Sequence, residues 1–149
     1  MKEVNINKVE SAVTLFSQGF NCAQAVLSPF AQKAGMNGET ALRVAGGFGA
    51  GMARLQETCG ALTGGYMALG LFQGQHIPGD KDAKEKCYKS VREFTKKFEA
   101  MHGSSNCQKL LGVNLQSEEG QKRFMDEKMH TCKCEQYVKT AVELLDEIL

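Results

Sequence analysis

The feature that most constrains the fold is an apolar stripe between residues 80 and 103. Five apolar residues follow one another at steps of four, three, four and three: Cys87, Val91, Phe94, Phe98 and Met101. These steps match the 3.6-residue turn of an α-helix, so the five side chains lie on one face. Asp80 precedes the stripe and Gly103 follows it, as expected at the two ends of a helix. The segment therefore predicts a long amphipathic helix.

The remainder of the chain repeats this pattern in shorter segments. Capping residues and glycines separate apolar stripes at helical spacing, and no stretch shows the sustained alternation of a β-strand. We therefore predict an all-α fold, a compact helical bundle of seven or eight unequal helices with one glycine-rich loop. The length of 149 residues suffices for one core, and a single domain over residues 1–149 is expected.

A mostly apolar segment from Thr58 to Phe72 is predicted to form a helix capped by Thr58. Small residues recur along it every four positions, at Gly60, Gly64 and Ala68. Small residues at this spacing let the backbone of another helix approach closely. The segment is predicted to be either the central helix of the bundle or the surface of a homodimer.

The segment 46–51, GGFGAG, is too rich in glycine for a helix or a strand and is predicted to be a loop. It lacks the preceding strand of a dinucleotide-binding unit and the Gly-Lys-Ser/Thr of a phosphate-binding loop. We instead expect its backbone amides to face a thiolate or a sulfide. Gly47, Gly49, Gly51 and Gly60 are accordingly predicted to contribute to a cofactor-binding site.

Four of the six cysteines are placed by the sequence at predicted helix starts. Cys22, Cys59 and Cys107 directly follow residues that favour the N-cap position, and Cys134 lies three residues after Thr131. The partial positive charge of a helix N-terminus favours a thiolate over a thiol. We therefore predict that the four gather at one site and that Cys59 has a lowered pKa and the most reactive sulfur.

The other two cysteines have weaker claims to a function. Cys87 lies within the apolar stripe and is predicted to pack in the core. Cys132 forms a Cys-Lys-Cys sequence with Cys134, which is too short for a familiar redox motif. The sequence leaves open which of Cys132 and Cys134 is the functional residue.

Several motifs resemble those of one protein family in the same order. The segments GGFGAG (46–51) and ETCGALTG (57–64) resemble the signature of the C-GCAxxG-C-C family of redox-active proteins. NCAQAV, CQKLLG and CEQYV resemble its other cysteine elements. The resemblance implies a small helical domain with a redox role, and it implies that the family cysteines are Cys22, Cys59, Cys107 and Cys134. Ala50 stands where the family usually has glycine.

Three functions are compatible with these residues. In a thiol–disulfide protein, Cys59 would attack and Cys22 or another of the four would resolve the mixed disulfide. In a metal protein, Cys22, Cys59, Cys107 and Cys134 would bind an iron–sulfur cluster or another thiophilic metal for electron transfer or storage. In a non-catalytic helical binding module, the cysteines would only pack. The sequence leaves open whether the protein is an enzyme.

Charge and hydropathy limit the expected partners. With 18 basic and 17 acidic residues, no nucleic-acid partner is expected. No apolar stretch approaches the length of a spanning helix, and residues 1–5 have no apolar signal core, so a cytoplasmic protein without membrane insertion is expected. The expected partner is a redox protein or a small thiol or disulfide, and a homodimer is left open.

Overall fold

The computed structural model describes residues 6–149, and eight right-handed α-helices make up most of this segment. They are α1 (Ile6–Ser17), α2 (Cys22–Ala31), α3 (Gly38–Val44), α4 (Gly60–Gln73), α5 (Lys81–His102), α6 (Cys107–Leu111), α7 (Glu118–Asp126) and α8 (Glu135–Ile148). A left-handed turn at Gly49–Met52 and a π-helical turn at His130–Cys134 lie between them. The described residues contain no β-strand, so the predicted all-α fold is confirmed.

Most helix boundaries follow the capping residues that the sequence predicts. The side chain of Asp80 accepts a hydrogen bond from the amide of Ala83 at the start of α5, and Ser117 caps α7 in the same way. Gly103 and Gly112 end α5 and α6 with φ angles of 88° and 73°. These left-handed conformations strain residues that have a Cβ atom, which explains the glycines.

Helices α2 and α4 form the closest helix pair of the bundle. A Cβ atom built on Gly64 would lie 2.5 Å from the carbonyl oxygen of Ala23, so the two backbones touch there. The small residues along α4 thus admit a neighbouring helix, as predicted. Helices α5 and α8 pack against α4 and against each other, and they bury Phe94, Phe98 and Val138 completely. None of the helices in the described chain has the length and apolar character needed to cross a membrane.

Two predicted helix starts are wrong. Thr58 is not the N-cap of α4, because the helix begins at Gly60 and Cys59 itself occupies the N-cap position. Thr58 instead pairs with Asn106 in an isolated antiparallel bridge. Thr131 is not a helix start either, because it lies inside the π-helical turn that leads into α8 and its amide already donates to a carbonyl oxygen.

Candidate functional site

The four cysteines predicted as site residues line one cavity of about 210 Å³: Cys22, Cys59, Cys107 and Cys134. They come from different segments of the chain, and the packing of the bundle brings them together. Cys87 is half-buried on α5 and does not belong to the core, so the predicted core position is wrong. Cys132 is exposed on the π-helical turn, and neither of these lines the cavity. The cavity is therefore the candidate site.

Cys22 and Cys59 are positioned by the contact between α2 and α4. Cys22 is the first residue of α2, where the side chains of Asn21 and Gln24 form a reciprocal capping box. A Cβ atom on Gly60 would lie 3.0 Å from the sulfur of Cys22, so this sulfur lies against the residue that follows Cys59. The absence of a side chain at Gly60 therefore makes room for the Cys22 sulfur.

The bridge between Thr58 and Asn106 joins Cys59 to Cys107. The amide of Cys59 donates to the carbonyl oxygen of Ser105 at 2.8 Å, and the amide of Cys107 donates to Glu57 at 2.7 Å. Because side chains alternate along a paired strand, the residues on either side of Thr58 and Asn106 point to one common face. Cys59 and Cys107 are thereby directed to the same side, where the cavity lies.

Cys134 reaches the cavity from the end of the π-helical turn. Two side chains fasten this part of the chain to α6. Lys133 donates to the carbonyl oxygens of Leu110 and Leu111 at 3.4 and 3.3 Å, and Tyr137 donates to Leu110 at 3.3 Å. Cys134 does not lie at a free helix N-terminus, because helical hydrogen bonding runs through it without a break. The predicted helix-start environment is therefore present at three of the four cysteines.

Burial controls the ionisation of these thiols. Cys59 is 5% exposed, and burial raises its pKa well above the ordinary value, with the neighbouring sulfur of Cys22 raising it further. The predicted lowering of the pKa of Cys59 is wrong, because lost hydration outweighs the charge of a helix terminus. Burial also raises the pKa of Cys107 to about 11 and raises the pKa of Cys22 and of Cys134.

Hydrogen bonds to sulfur partly oppose this effect, and they are concentrated at Cys22. Burial raises the pKa of Cys22, while the backbone amides of Ala50, Ala23 and Gly60, together with its own amide, hydrogen-bond its sulfur and lower that pKa. At Cys59 a single backbone amide, that of Ala61, does so. Among the four sulfurs, that of Cys22 thus has the largest number of hydrogen-bond donors that would stabilise a thiolate.

The amide of Ala50 belongs to an unusual backbone segment. Residues 50–54 have five consecutive positive φ angles between 54° and 68°, and only Gly51 among them is a glycine. Left-handed backbone costs about 1–2 kcal/mol for each residue that carries a Cβ atom. The amides of Gln56 and Glu57 donate back to the carbonyl oxygens of Ala50 and Gly51 and hold the turn. The strained turn therefore places one amide at a buried sulfur.

The four glycines predicted to bind a cofactor have different surroundings. Only Gly60 lines the cavity. Gly49 packs against the side chain of Asn21, and a Cβ atom on Gly51 would lie 2.6 Å from the backbone of Gln56. Gly47 is exposed with open space around its Cα atom. Gly49 and Gly51 thus permit close packing of the loop, and it is Ala50 between them whose amide faces a sulfur.

Two further site residues were not singled out from the sequence. Gln56 is 3% exposed, its amide nitrogen donates to the carbonyl oxygen of Val113, and its side-chain oxygen accepts from the amide of Leu115. The same side chain hydrogen-bonds Cys107. His130 stacks on Phe16 with ring centroids 3.9 Å apart, and both rings line the cavity. No sequence pattern indicated Gln56. Phe16, the ring on which His130 stacks, belongs to an apolar helix face, which is a pattern that the sequence does show.

The cavity walls are mostly apolar. Six of the lining residues are phenylalanine or leucine: Phe16, Phe20, Leu110, Leu111, Leu115 and Phe124. No Asp, Glu, Lys or Arg of the described chain lines it. Within the same part of the chain, no three His, Cys, Asp or Glu side chains are grouped closely enough to hold one metal ion. The four sulfurs therefore surround a space rather than a single point.

Comparison with known proteins agrees with the resemblance in the sequence. Residues 20–148 match the family described as "Putative redox-active protein (C_GCAxxG_C_C)", and all four cysteines of the cavity lie within the matched segment. No curated protein and no solved structure matches the chain. Because the match covers most of the sequence, the chain belongs to the C_GCAxxG_C_C family.

Proposed function

We propose that the protein is a dithiol redox protein that transfers two electrons through thiol–disulfide exchange in its cavity. The observation that carries the proposal is the convergence of four free cysteines from separate elements on one apolar cavity. Packing alone does not require four sulfurs to face a common space. A reducing compartment such as the cytoplasm fits these free thiols.

Cys22 and Cys59 are the proposed reacting pair. The sulfur of Cys22 lies against Gly60, the neighbour of Cys59, and among nearby sulfurs Cys22 has the largest effect on the pKa of Cys59. We assign the attacking thiolate to Cys22 because several backbone amides surround its sulfur. This assignment reverses the order expected from the sequence, in which Cys59 attacks.

The exchange proceeds in two balanced steps. The thiolate of Cys22 attacks one sulfur of a substrate disulfide, which forms a mixed disulfide and releases the first substrate thiolate. That thiolate takes the thiol proton of Cys59. The resulting Cys59 thiolate attacks the sulfur of Cys22, forms the Cys22–Cys59 disulfide and releases the second thiolate, which is protonated by solvent. Two electrons pass from the cysteine pair to the substrate disulfide, which is reduced to two thiols.

A second candidate is a thiolate-bound metal or iron–sulfur cluster. The observation in its favour is the mutual effect of the sulfurs, since Cys22, Cys107 and Cys134 each raise the pKa of Cys59 beyond the effect of burial. A bound cation would relieve this repulsion, and sulfur is the donor that thiophilic metals prefer. The sulfurs surround a space, which suits a cluster with several metal atoms better than a single ion.

The experiment that separates the two candidates combines metal analysis with a thiol titration. The protein is purified without oxygen, its iron and zinc are measured, and its visible absorption is recorded. It is then titrated with a small disulfide while free thiols are counted. The dithiol proposal predicts a colourless, metal-free protein that loses two thiols for each disulfide reduced.

Matched variants identify the residues involved. Cys22→Ser and Cys59→Ser should each abolish the two-electron reaction, whereas Cys87→Ser, outside the cavity, should leave it intact. Stoichiometric iron with sulfur-to-metal absorption bands would overturn the dithiol proposal in favour of the cluster. Thiols that react with no disulfide in the native protein would overturn it in favour of packed cysteines.

A further inference from the structure

We infer that the cavity takes small, uncharged disulfides and excludes both ionic disulfides and the disulfides of folded proteins. The inference rests on the proposed dithiol function and assigns the class of substrate to it. It follows from three properties of the cavity: the burial of its sulfurs, its volume, and the absence of Asp, Glu, Lys and Arg side chains of the described chain from its walls.

Burial of the sulfurs limits which molecules reach them. Cys22 and Cys59 are 9% and 5% exposed, so the proposed reacting pair lies below the protein surface. Thiol–disulfide exchange needs direct contact between the attacking sulfur and the sulfur attacked. A disulfide in a folded protein is surrounded by the rest of that protein, which is too large to enter the cavity. Its sulfur therefore cannot reach the buried sulfurs of Cys22 and Cys59. The substrate must therefore enter the cavity as a whole or extend a thin arm into it.

The volume of the cavity sets the size of this substrate. About 210 Å³ is many times the roughly 10–15 Å³ that one water molecule needs, so a small organic molecule can enter. A disulfide with two short organic arms suits such a cavity, whereas a tripeptide disulfide is considerably larger. The aromatic rings of Phe16 and Phe124 and the side chain of Leu115 offer apolar contacts for such arms.

The walls provide few partners for an ionic group. None of the lining residues in the described chain carries a carboxylate, an ammonium or a guanidinium group. The imidazole of His130 stacks on Phe16 at the wall. The ammonium of Lys133, outside the lining, donates to the carbonyl oxygens of Leu110 and Leu111. A dianionic substrate would lose its hydration and face the like charge of the proposed Cys22 thiolate. A dicationic substrate could pair at most one of its two charges with that thiolate, and the other would lose its hydration unpaired, so the cavity disfavours both ions.

The test compares three disulfides of similar size with the reduced native protein. Bis(2-hydroxyethyl) disulfide is neutral, cystamine is its dicationic counterpart and dithiodiglycolate is dianionic. Each rate of protein thiol loss is divided by the rate of the same disulfide with a free reference thiol, which removes differences in intrinsic reactivity. The normalised rate should be at least about tenfold higher for the neutral compound than for either ion. Native insulin serves as the protein disulfide and should react more slowly still.

Two cavity variants test the site itself. Leu115→Trp fills the cavity and should slow the neutral disulfide about tenfold or more, whereas Leu55→Trp, at a side chain that is 62% exposed, should not. Phe20 is half-buried on the wall, and Phe20→Lys should raise the ratio of the dianion rate to the neutral rate. Circular dichroism and a thiol count in denaturant verify that each variant is folded and reduced, and Phe20→Lys keeps the test valid if the tryptophan variant does not fold.

The outcomes separate this inference from the proposed function. Oxidation by cystamine, dithiodiglycolate or insulin at a normalised rate equal to that of the neutral disulfide would overturn the substrate class and leave the dithiol function intact. An unchanged rate ratio in folded Phe20→Lys would also overturn it. Failure of every disulfide to oxidise the native protein, with its thiols intact in denaturant, would overturn the proposed function and the inference with it.

Discussion

Replacing Gly64 by alanine tests the helix contact that brings the Cys22 and Cys59 segments together. A Cβ atom at this position would lie 2.5 Å from the carbonyl oxygen of Ala23 and 2.9 Å from its Cα atom, closer than real Cβ atoms approach other heavy atoms. The obstacle is backbone, so no side chain can rotate away. Helix α4 would have to move away from α2. The residue of α2 in contact is Ala23, which directly follows Cys22.

The same helix offers a matched control at Gly70, where an added Cβ atom would meet nothing within 4 Å. Alanine in place of glycine within a helix contributes about 1 kcal/mol through helix propensity, and both variants gain this amount. Overpacking costs about 1–3 kcal/mol, and a contact with fixed backbone belongs at the upper end. We therefore expect Gly70→Ala to be about 1 kcal/mol more stable than the native sequence and Gly64→Ala to be about 2 kcal/mol less stable.

Urea unfolding followed by circular dichroism measures both free energies of unfolding. The difference between the two variants isolates the cost of the contact, because the gain in propensity is common to them. This difference should be about 3 kcal/mol. The melting temperature of Gly64→Ala should lie about 4–8 °C below that of the native protein. Equal stabilities of Gly64→Ala and Gly70→Ala would refute the argument, since α2 and α4 would then not be in backbone contact at this position.

Three further predictions concern the surroundings of the cavity. Gln56→Leu should lower the free energy of unfolding by about 2–6 kcal/mol, because it leaves two buried backbone groups without partners, whereas Gln75→Leu at an exposed position should change it by less than about 0.5 kcal/mol. Ala53→Gly should raise the free energy of unfolding by about 1 kcal/mol, because residue 53 has a φ of 54°. Ala100→Gly, in the right-handed helix α5, should lower it by a similar amount. A lower free energy of unfolding in both variants would contradict the strain assigned to the left-handed turn. The pKa of the Cys107 thiol is about 11 in the folded protein against 9.0 in the unfolded chain, so the folded protein holds this proton more tightly. The resulting contribution to the free energy of unfolding is complete below pH 9. It is lost as the pH rises from 9 to 11, by about 1.4 kcal/mol per pH unit. The urea midpoint of unfolding should fall across this pH range, and the fall should be less steep in Cys107→Ala. An equally steep fall in that variant would contradict the contribution assigned to the Cys107 thiol.

Local patterns were sufficient to predict most of the helices. The stripe on α5 and the cap at Asp80 depend only on residues within a few positions of each other, and so does the end of α6 at Gly112. The two wrong helix starts have a different origin. Thr58 is drawn into a bridge with Asn106, which is distant in sequence, and the turn before α8 widens to π-helical geometry. Neither effect follows from short-range propensity.

The candidate site, too, could be predicted only in part from local sequence. The gathering of Cys22, Cys59 and Cys107 could be predicted, because each follows an N-cap type residue. Cys134 had no correct local signal, because a π-helical turn replaces the helix start expected before it. The ionisation of these thiols could not be predicted, because the pKa of Cys59 depends on burial, and burial arises from the packing of the whole bundle. Gln56 carries no local signal either, since its partners lie more than fifty residues along the chain.

A map of the disulfides formed in the native protein decides whether the cavity is a redox site. The reduced protein is treated with one equivalent of a small neutral disulfide, remaining thiols are alkylated, and the peptides are identified by mass spectrometry. We expect one intramolecular disulfide between Cys22 and Cys59, with Cys87 and Cys132 recovered in alkylated form. Recovery of all four cavity cysteines as free thiols, with oxidation confined to the exposed Cys132, would contradict the claim that the cavity is a redox site.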